Sequence, residues 1–480
     1  MALNSDDYFN SDSFKYILKK YEEAERSGTP VILDPEEFSD IAEYYYNNGE
    51  EEHARAVIDK AVRLYPGTAA PLLLKARLAL IGDEDPDGAE KIIDEICDKT
   101  DPEYQYIKAE IMIAKGEYEE AEEYLEGEYA QIEDDEELED FALDCATIFT
   151  DYELTEYSEK WLARLENKDS LDYKEQYARV LLGKGEYEKS EKLFDELIDI
   201  NPFSTKYWNS LASSQYLCDK IEDSISSSEY SIAINPNDTT ALLNKANGLY
   251  NLGNYEGALK YYLRYSELCP MDENCEMLIG FCYLILEDFK NAELHLSNAE
   301  KLSDRLSPNL PNIYKYKAFV LCRMGKLDEG MAMLDKAKEQ GSDANELLVF
   351  RGSLLLGTRR HNEAKEYFIK AVKESNCSPD IFMKVATIIY ESGNVNGAYK
   401  MFKILYKHYK DWHDGYAYLT ACCLKLGKVD EMLDALKKAV KYTPKELTML
   451  LDNVFPDGMK PESYYKYMYD KLKGSGKDKY

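Results

Sequence analysis

Apolar residues in this chain recur three and four positions apart, in segments about three or four turns long, so the pattern predicts amphipathic helices throughout. In residues 239–272 a first helix is expected over 240–252. Asn251, Gly253 and Asn254 then supply a turn. A second helix follows over 255–268 and stops before Pro270, which has no N–H to give a continuing helix. Small residues, Ala246 and Ala258, stand where two helices must touch, since a larger side chain there would push their axes apart. Tyr255 and Tyr262 are the large residues that fill the space beside them.

The same pattern returns at a fixed interval. When residues 205–238 are laid over 239–272, Trp208 meets Leu242, Leu211-Ala212 meets Lys245-Ala246, and Ser224 meets Ala258. Ser228 meets Tyr262 and Pro236 meets Pro270, so the period is 34 residues, and it carries on to Ala292 and Leu296. A period of this size marks a stacked helical array, in which no single unit buries its apolar face alone.

Residues 35–68 fit the period with Phe38, Ile41-Ala42, Tyr45, Gly49, Ala54, Ile58 and Pro66. Residues 171–204 fit it with Tyr177-Ala178, Leu181, Gly185, Ser190, Phe194 and Pro202. Further units open at Pro311, Asn345, Pro379 and His413. The unit from Ala69 needs an extra residue near 82–87, and the unit near Glu139 is degenerate, keeping Ala146, Ser158 and Leu162. This pattern resembles the tetratricopeptide repeat family, whose signature is Trp-x2-Leu-Gly-x2-Tyr, then Ala-x3-Phe, then Pro. The resemblance implies an all-α, right-handed α-solenoid (superhelix) of about 12 helix-turn-helix units with capping helices at its ends.

The expected organisation is a disordered start and an N-terminal capping helix over 1–34, with disorder over 1–12 and Ser11–Ser13 and Gly28 as helix start and stop. An acidic array over 35–170, a regular central array over 171–306 and a C-terminal array over 307–446 follow. Capping helices and a tail that frays from 474 onward close the chain over 447–480. The spacing breaks at 127–138 and at 306–311, and either break is a candidate hinge.

Charge changes the picture of the first third. The net charge is −34, of which residues 1–170 carry −31, while residues 351–480 carry +7. The densest run, 133–144, reads as a solvated face, or as an acidic docking surface for a basic partner. It lacks the order of residues of a calcium loop. A field of this sign opposes phosphate backbones and anionic lipid, so neither nucleic acid nor membrane is an expected partner. The ten cysteines include no Cys-x2-Cys pair, and Cys145 and Cys423 fall on apolar helical positions. Unpaired thiols, and a start without the segments of a leader, give a cytoplasmic expectation. The longest apolar run, 277–286, is far shorter than a membrane span.

No catalytic constellation emerges. The five histidines make no metal-ligand pair, and Gly183-Lys184-Gly185 and Gly325-Lys326 lack the order of a phosphate loop. No cofactor or metal is expected. The family resemblance implies instead a groove lined by the first helices of successive repeats, at offsets 2, 5, 9 and 12–13 of each unit. Here those offsets give Arg179, Asn209, Ser213, Tyr216, Asn247, Tyr250, Met277, Phe281, Lys315, Phe319 and Arg323, joined by Asn244 at offset 6. Asparagine can pair with a peptide backbone as donor and acceptor together, aromatics give rigid contact area, and Lys or Arg hold carboxylates. The family subtype that grips the acidic tails of heat-shock chaperones needs a basic pair where this chain has Asn274 and Leu278, so that subtype is not expected.

The reading is therefore a non-enzymatic scaffold or adaptor that binds a peptide or partner helix in its concave groove. The rivals are self-association into a homo-oligomer and a regulator that binds a small ligand.

Overall fold

In a computed structural model, which describes residues 6–9, 11–456 and 458–474, several of the helices begin on a side-chain cap supplied by the sequence. At Pro35–Asn47 the Asp34 carboxylate accepts the Glu37 N–H while the Glu37 carboxylate accepts the Asp34 N–H. Ser170, Ser204, Asp272 and Asp343 cap their helices by accepting a backbone N–H in the same way. No strand occurs among the described residues.

The turn between paired helices is equally regular. Gly49, Gly116, Gly185, Gly253, Gly325, Gly393 and Gly427 all take positive φ at the same offset of their repeats. Where glycine is missing, another residue accepts the same left-handed conformation: Glu153, Asp219, Glu287 and Arg359 have φ between 59° and 64°.

The chain divides into two compact units inside the helix Thr239–Asn251, between Gly248 and Leu249. In the first unit the hairpins are Pro35–Asn47 with Glu51–Leu64, Ala69–Arg77 with Pro86–Asp94, and Pro102–Ala114 with Tyr118–Tyr129. Asp135–Asp151 with Thr155–Leu162, Leu171–Gly183 with Tyr187–Ile200, and Thr205–Leu217 with Ile221–Ile234 complete it. The extra residue expected near 82–87 is taken up by a π-helical turn, Leu78–Gly82, which lengthens the first helix of that hairpin.

In the second unit Tyr255–Leu268 is followed by Glu273–Ile285 with Phe289–Leu302, Leu310–Arg323 with Leu327–Glu339, and Ala344–Gly357 with His361–Glu374. Pro379–Glu391 with Val395–His408 and Tyr416–Lys425 with Val429–Tyr442 follow. Six hairpins thus lie in the first unit and five in the second, with Thr239–Asn251 and Tyr255–Leu268 between them in sequence. The helix Tyr255–Leu268 has the bounds the pattern predicts.

The ends are closed by aromatic packing. The Ser11 hydroxyl caps Asp12–Ser27, and Gly28 ends that helix in the left-handed conformation. The disorder expected over 1–12 does not extend to Asp6–Phe9. That stretch is a helical turn whose Tyr8 and Phe9 rings pack on Phe14, with Phe9 also against Tyr44. The remainder of that expectation, residues 1–5 and 10, lies outside the described residues, as do residues 475–480 of the expected fraying tail. At the other end Phe455 stacks on Tyr464 with ring centroids 3.7 Å apart, and Tyr464 and Met468 are buried.

The candidate hinge at 306–311 is pinned. The Ser307 hydroxyl donates to the Glu273 carboxylate, and Asn309 Nδ2 donates to the same group at 2.9 Å. Burial opposes ionisation of Glu273, but these bonds outweigh it and hold the carboxyl below its usual range.

Candidate functional site

In the first unit, the first helices of successive hairpins form one face. A cavity of about 740 Å³ runs along it, lined from Asp135–Asp151, Leu171–Gly183, Thr205–Leu217 and the start of Thr239–Asn251. Two of the predicted groove residues, Arg179 and Asn209, line this cavity. Arg179 donates to Asp151 at 2.5 Å and to Gln176 at 3.2 Å. Asn209 Nδ2 donates to both carboxylate oxygens of Asp238, at 2.9 and 3.1 Å. Its own carbonyl, Asn209 Oδ1, is buried without a hydrogen-bond partner, so an acceptor is left to spare. Ser213 turns its hydroxyl onto the Asn209 backbone carbonyl at 3.0 Å. Tyr216 and Asn247 are half-buried, and Asn244 Nδ2 is a buried donor that meets no acceptor.

The face is acidic. Asp144, Asp151, Asp172, Glu175 and Asp238 line the cavity against two cations, Arg179 and Lys206. Arg179 is paired with Asp151 and Lys206 with Glu175, so three carboxylates exceed the cations. Two adjoining cavities, each of about 670 Å³, share wall residues with it, one through Thr147 and Asp151 and the other through Asp144. The latter is walled by Glu133, Asp134, Glu137 and Asp140 of the densest acidic run. That run is mostly helix. Asp134 caps it by accepting the Glu136 and Glu137 N–H groups, and Asp135, Glu136 and Glu137 sit in the first turn, where the helix dipole favours negative charge. On the neighbouring helix desolvation raises the Glu103 and Glu110 carboxyls. Arg77 opposes the shift at both, while Asp144 adds to it at Glu103 and Asp151 at Glu110.

The first-helix face of the second unit has another chemistry. Tyr250 and Phe281 lie 5.8 Å apart, and Phe281 meets Tyr316 edge-on at 4.7 Å. Burial pushes the Tyr250 phenol up to about 12. Lys315 lines a cavity of about 360 Å³ together with Tyr316, Phe350, Lys384 and Ile388. Arg323 lies over the Phe289 and Phe319 rings, 5.1 and 5.9 Å from their centroids, and pairs with Glu287 at 3.2 Å.

Met277 is a correction to the predicted set. It is only 9% exposed and packs in the core with Leu296, Ile313 and Val320. An apolar side chain at that offset gains more by folding against the next hairpin than by facing water.

The sequence reading missed residues at two places. Asp172 and Glu175 occupy offsets 2 and 5 of their repeat, where the groove rule points directly at them. Ser210, Tyr316, Phe350 and Lys384 occupy offset 6, the position recognised only for Asn244. A first-helix residue at offset 6 lies one position round from offset 5 and one turn before offset 9, so it shares the exposed face. Among the described residues no three His, Cys, Asp or Glu side chains converge as a metal site requires, and no helix is long and apolar enough to cross a membrane.

Residues 346–376 match the family model for the tetratricopeptide repeat. The chain is 28% identical over 180 residues to human protein O-mannosyl-transferase TMTC3, covering 35% of this chain and 20% of that protein. It is 25% identical over 186 residues to the BBSome complex member BBS4 of Bos taurus, covering 38% of this chain and 35% of that one. The chain thus spans only a fifth to a third of the length of these relatives. Among solved structures, YrrB, described as a TPR protein with an unusual peptide-binding site, overlays 39% of this chain and 93% of its own at 18% identity, with a TM-score of 0.34. One hairpin matches the family model directly, and its turn, its small residues and its period recur along the chain, so the fold is an array of tetratricopeptide-type repeats.

Proposed function

We propose that this chain is a protein-interaction scaffold, and that the first-helix face of its first unit receives an extended, basic segment of a partner protein. The observation that carries this reading is the 740 Å³ cavity, where five carboxylates face two cations already committed to ion pairs. A Lys- or Arg-bearing segment would neutralise Asp172, which has no ion-pair partner among the described residues, and Asp144. The second unit offers a mainly aromatic first-helix face, with Tyr250, Phe281 and Tyr316 as anchors; of the cations Lys315 and Lys384 beside it, Lys384 is paired with Glu346 and Asp380, which leaves Lys315 to meet a carboxylate on an apolar segment.

The transfer reaction in the name of TMTC3 is not carried over to this chain, which spans a fifth of that protein's length. A cytoplasmic setting remains part of the proposal, resting on the unpaired cysteines.

The test is affinity capture from the native cell with the wild type and an Asp172→Asn, Glu175→Gln, Asn209→Ala variant of unchanged helicity. The proposal expects partners that elute with moderate salt and are lost with the variant. Equal recovery by both proteins removes the groove. Light scattering that shows a homo-oligomer dispersed by the same variant would identify the occupant as a second copy. A thermal-shift screen in which a metabolite or nucleotide stabilises the chain would favour the small-ligand reading.

A further inference from the structure

A second recessed surface in the second unit belongs to neither first-helix face. It lies between two second helices, His361–Glu374 and Val395–His408, and its floor is the first helix Pro379–Glu391. The cavity is about 830 Å³, and apolar side chains dominate its floor and walls: Phe368, Val372, Phe382, Val385, Ile389 and Met401.

The flanking residues form two stripes at helical spacing. His361, Lys365, Ile369 and Lys373 run along one wall and Gly397 and Met401 along the other, with Ile404 one turn beyond Met401 on the same helix face. Ile369, which lines the cavity, is 44% exposed, and Ile404, one turn beyond the lining Met401, is 47% exposed, so helical spacing extends the apolar surface outward from both walls. From His361 to Lys373 the wall runs about 18 Å, the length of a helix of three to four turns.

Charge selects the occupant. The wall residues include His361, Lys365 and Lys373, and no carboxylate lines the cavity. Lys365 and Lys373 form no ion pair among the described residues. This basic rim stands out in a chain of net charge −34, in a C-terminal stretch that carries +7. An apolar trough of this length, bordered by unpaired cations, complements an amphipathic helix with leucine- or phenylalanine-type residues at i, i+3/i+4 and i+7, flanked by glutamates or aspartates.

We infer that this groove between the second helices of neighbouring repeats docks an acidic amphipathic helix of a partner protein. It is a site separate from the acidic face of the first unit and opposite to it in charge preference. One scaffold would then hold a basic segment on one unit and an acidic helix on the other.

The test uses the full-length protein and three labelled, helix-stapled peptides of about four turns: one with a Leu/Phe stripe and glutamate flanks, one with lysine flanks, and one with a scrambled stripe. Anisotropy is expected to show saturable binding of the glutamate-flanked peptide, at least about tenfold tighter than the lysine-flanked one, and none of the scramble. Ile369→Glu with Ile404→Glu, both at exposed positions, should abolish binding without changing circular dichroism. Lys365→Glu with Lys373→Glu should reverse the preference between flanks. Asp172→Asn should leave this binding unchanged, which separates failure here from failure of the first-unit reading. Three results would each overturn the assignment. One is no saturable binding by either amphipathic peptide up to about 1 mM. Another is binding indifferent to flank charge and to Ile369→Glu. The third is a wild type that dimerises, or binds phosphatidylserine vesicles, in a manner lost in Ile369→Glu.

Discussion

The Ser190 hydroxyl donates a 2.8 Å hydrogen bond to the Ala178 carbonyl, joining the two helices of its hairpin where the repeat requires small side chains. Ser158 makes the same bond to Ala146 at 2.9 Å. At the equivalent position Ser224 is fully buried, and its hydroxyl has no partner. Ser190→Ala is therefore expected to lose about 1 kcal/mol, whereas Ser224→Ala, which removes a desolvated and unbonded hydroxyl, is expected to be neutral or stabilising. Gly330 fills the same place in its hairpin, and a Cβ there would come within 2.8 Å of the Ala318 carbonyl oxygen and 2.6 Å of Cys322 Sγ. Gly330→Ala should cost about 1–3 kcal/mol through overpacking. Urea denaturation of the three variants, followed by circular dichroism, gives the ranking.

The inter-helix turn makes an opposite prediction for exposed residues. Asp219 and Arg359 hold φ of 63° and 64° where most hairpins carry glycine. A side chain in that region costs about 1–2 kcal/mol, and glycine returns part of the gain as unfolded-state entropy. Asp219→Gly and Arg359→Gly should each stabilise by about 0.5–1 kcal/mol, read as a higher denaturation midpoint at an unchanged slope.

Acid should affect two carboxylates in opposite ways. Desolvation raises the Glu110 carboxyl above the ordinary glutamate value, against the pull of Arg77 and with the push of Asp151 and Glu103. Between its unfolded and folded values the folded chain then binds more proton, so this group's contribution to stability rises as pH falls through that window. Glu431, bonded by Lys403 and Tyr399, is lowered to about 2, so its contribution is present above the ordinary value and is lost as pH falls toward 2. Glu110→Gln should raise the melting temperature at neutral pH and flatten its rise on mild acidification. Glu431→Gln should lower the melting temperature at neutral pH and weaken its fall below pH 4. Melting curves from neutral pH down to strong acid check both signs.

Thiol reactivity should follow burial. Cys97 and Cys377 are exposed, whereas Cys145, Cys275, Cys282, Cys322, Cys422 and Cys423 are buried. Burial also pushes the Cys275, Cys282 and Cys422 thiols up to about 12, and those of Cys322 and Cys423 to about 11. The native protein should lose Cys97 and Cys377 to a thiol reagent first, with the buried group reacting only on unfolding. Mass spectrometry of the labelled peptides assigns the order.

The repeats were legible because their physics is local. A small residue, a left-handed turn and a capped start recur in each unit, and each leaves its mark within a few positions of sequence. The site was less legible. Asn209 and Arg179 fell where the offsets put them, yet Met277, at the same offset as Asn209, lies in the core because its side chain is apolar. Asp172 and Glu175 sit at groove offsets, but carboxylates are so frequent in this acidic chain that position alone does not single them out. That Asp144, Asp151 and Asp238 share one cavity with them depends on how successive hairpins stack, which no single repeat records.

On the proposed function, the acidic first-helix face of the first unit holds a partner. Carbodiimide footprinting of carboxylates, read by mass spectrometry with and without a captured partner, tests it most directly. Asp144, Asp172 and Glu175 should become protected while Glu222 and Asp223, on the second helix Ile221–Ile234, label as before. Protection of Glu222 and Asp223 with Asp172 and Glu175 still labelled would contradict it.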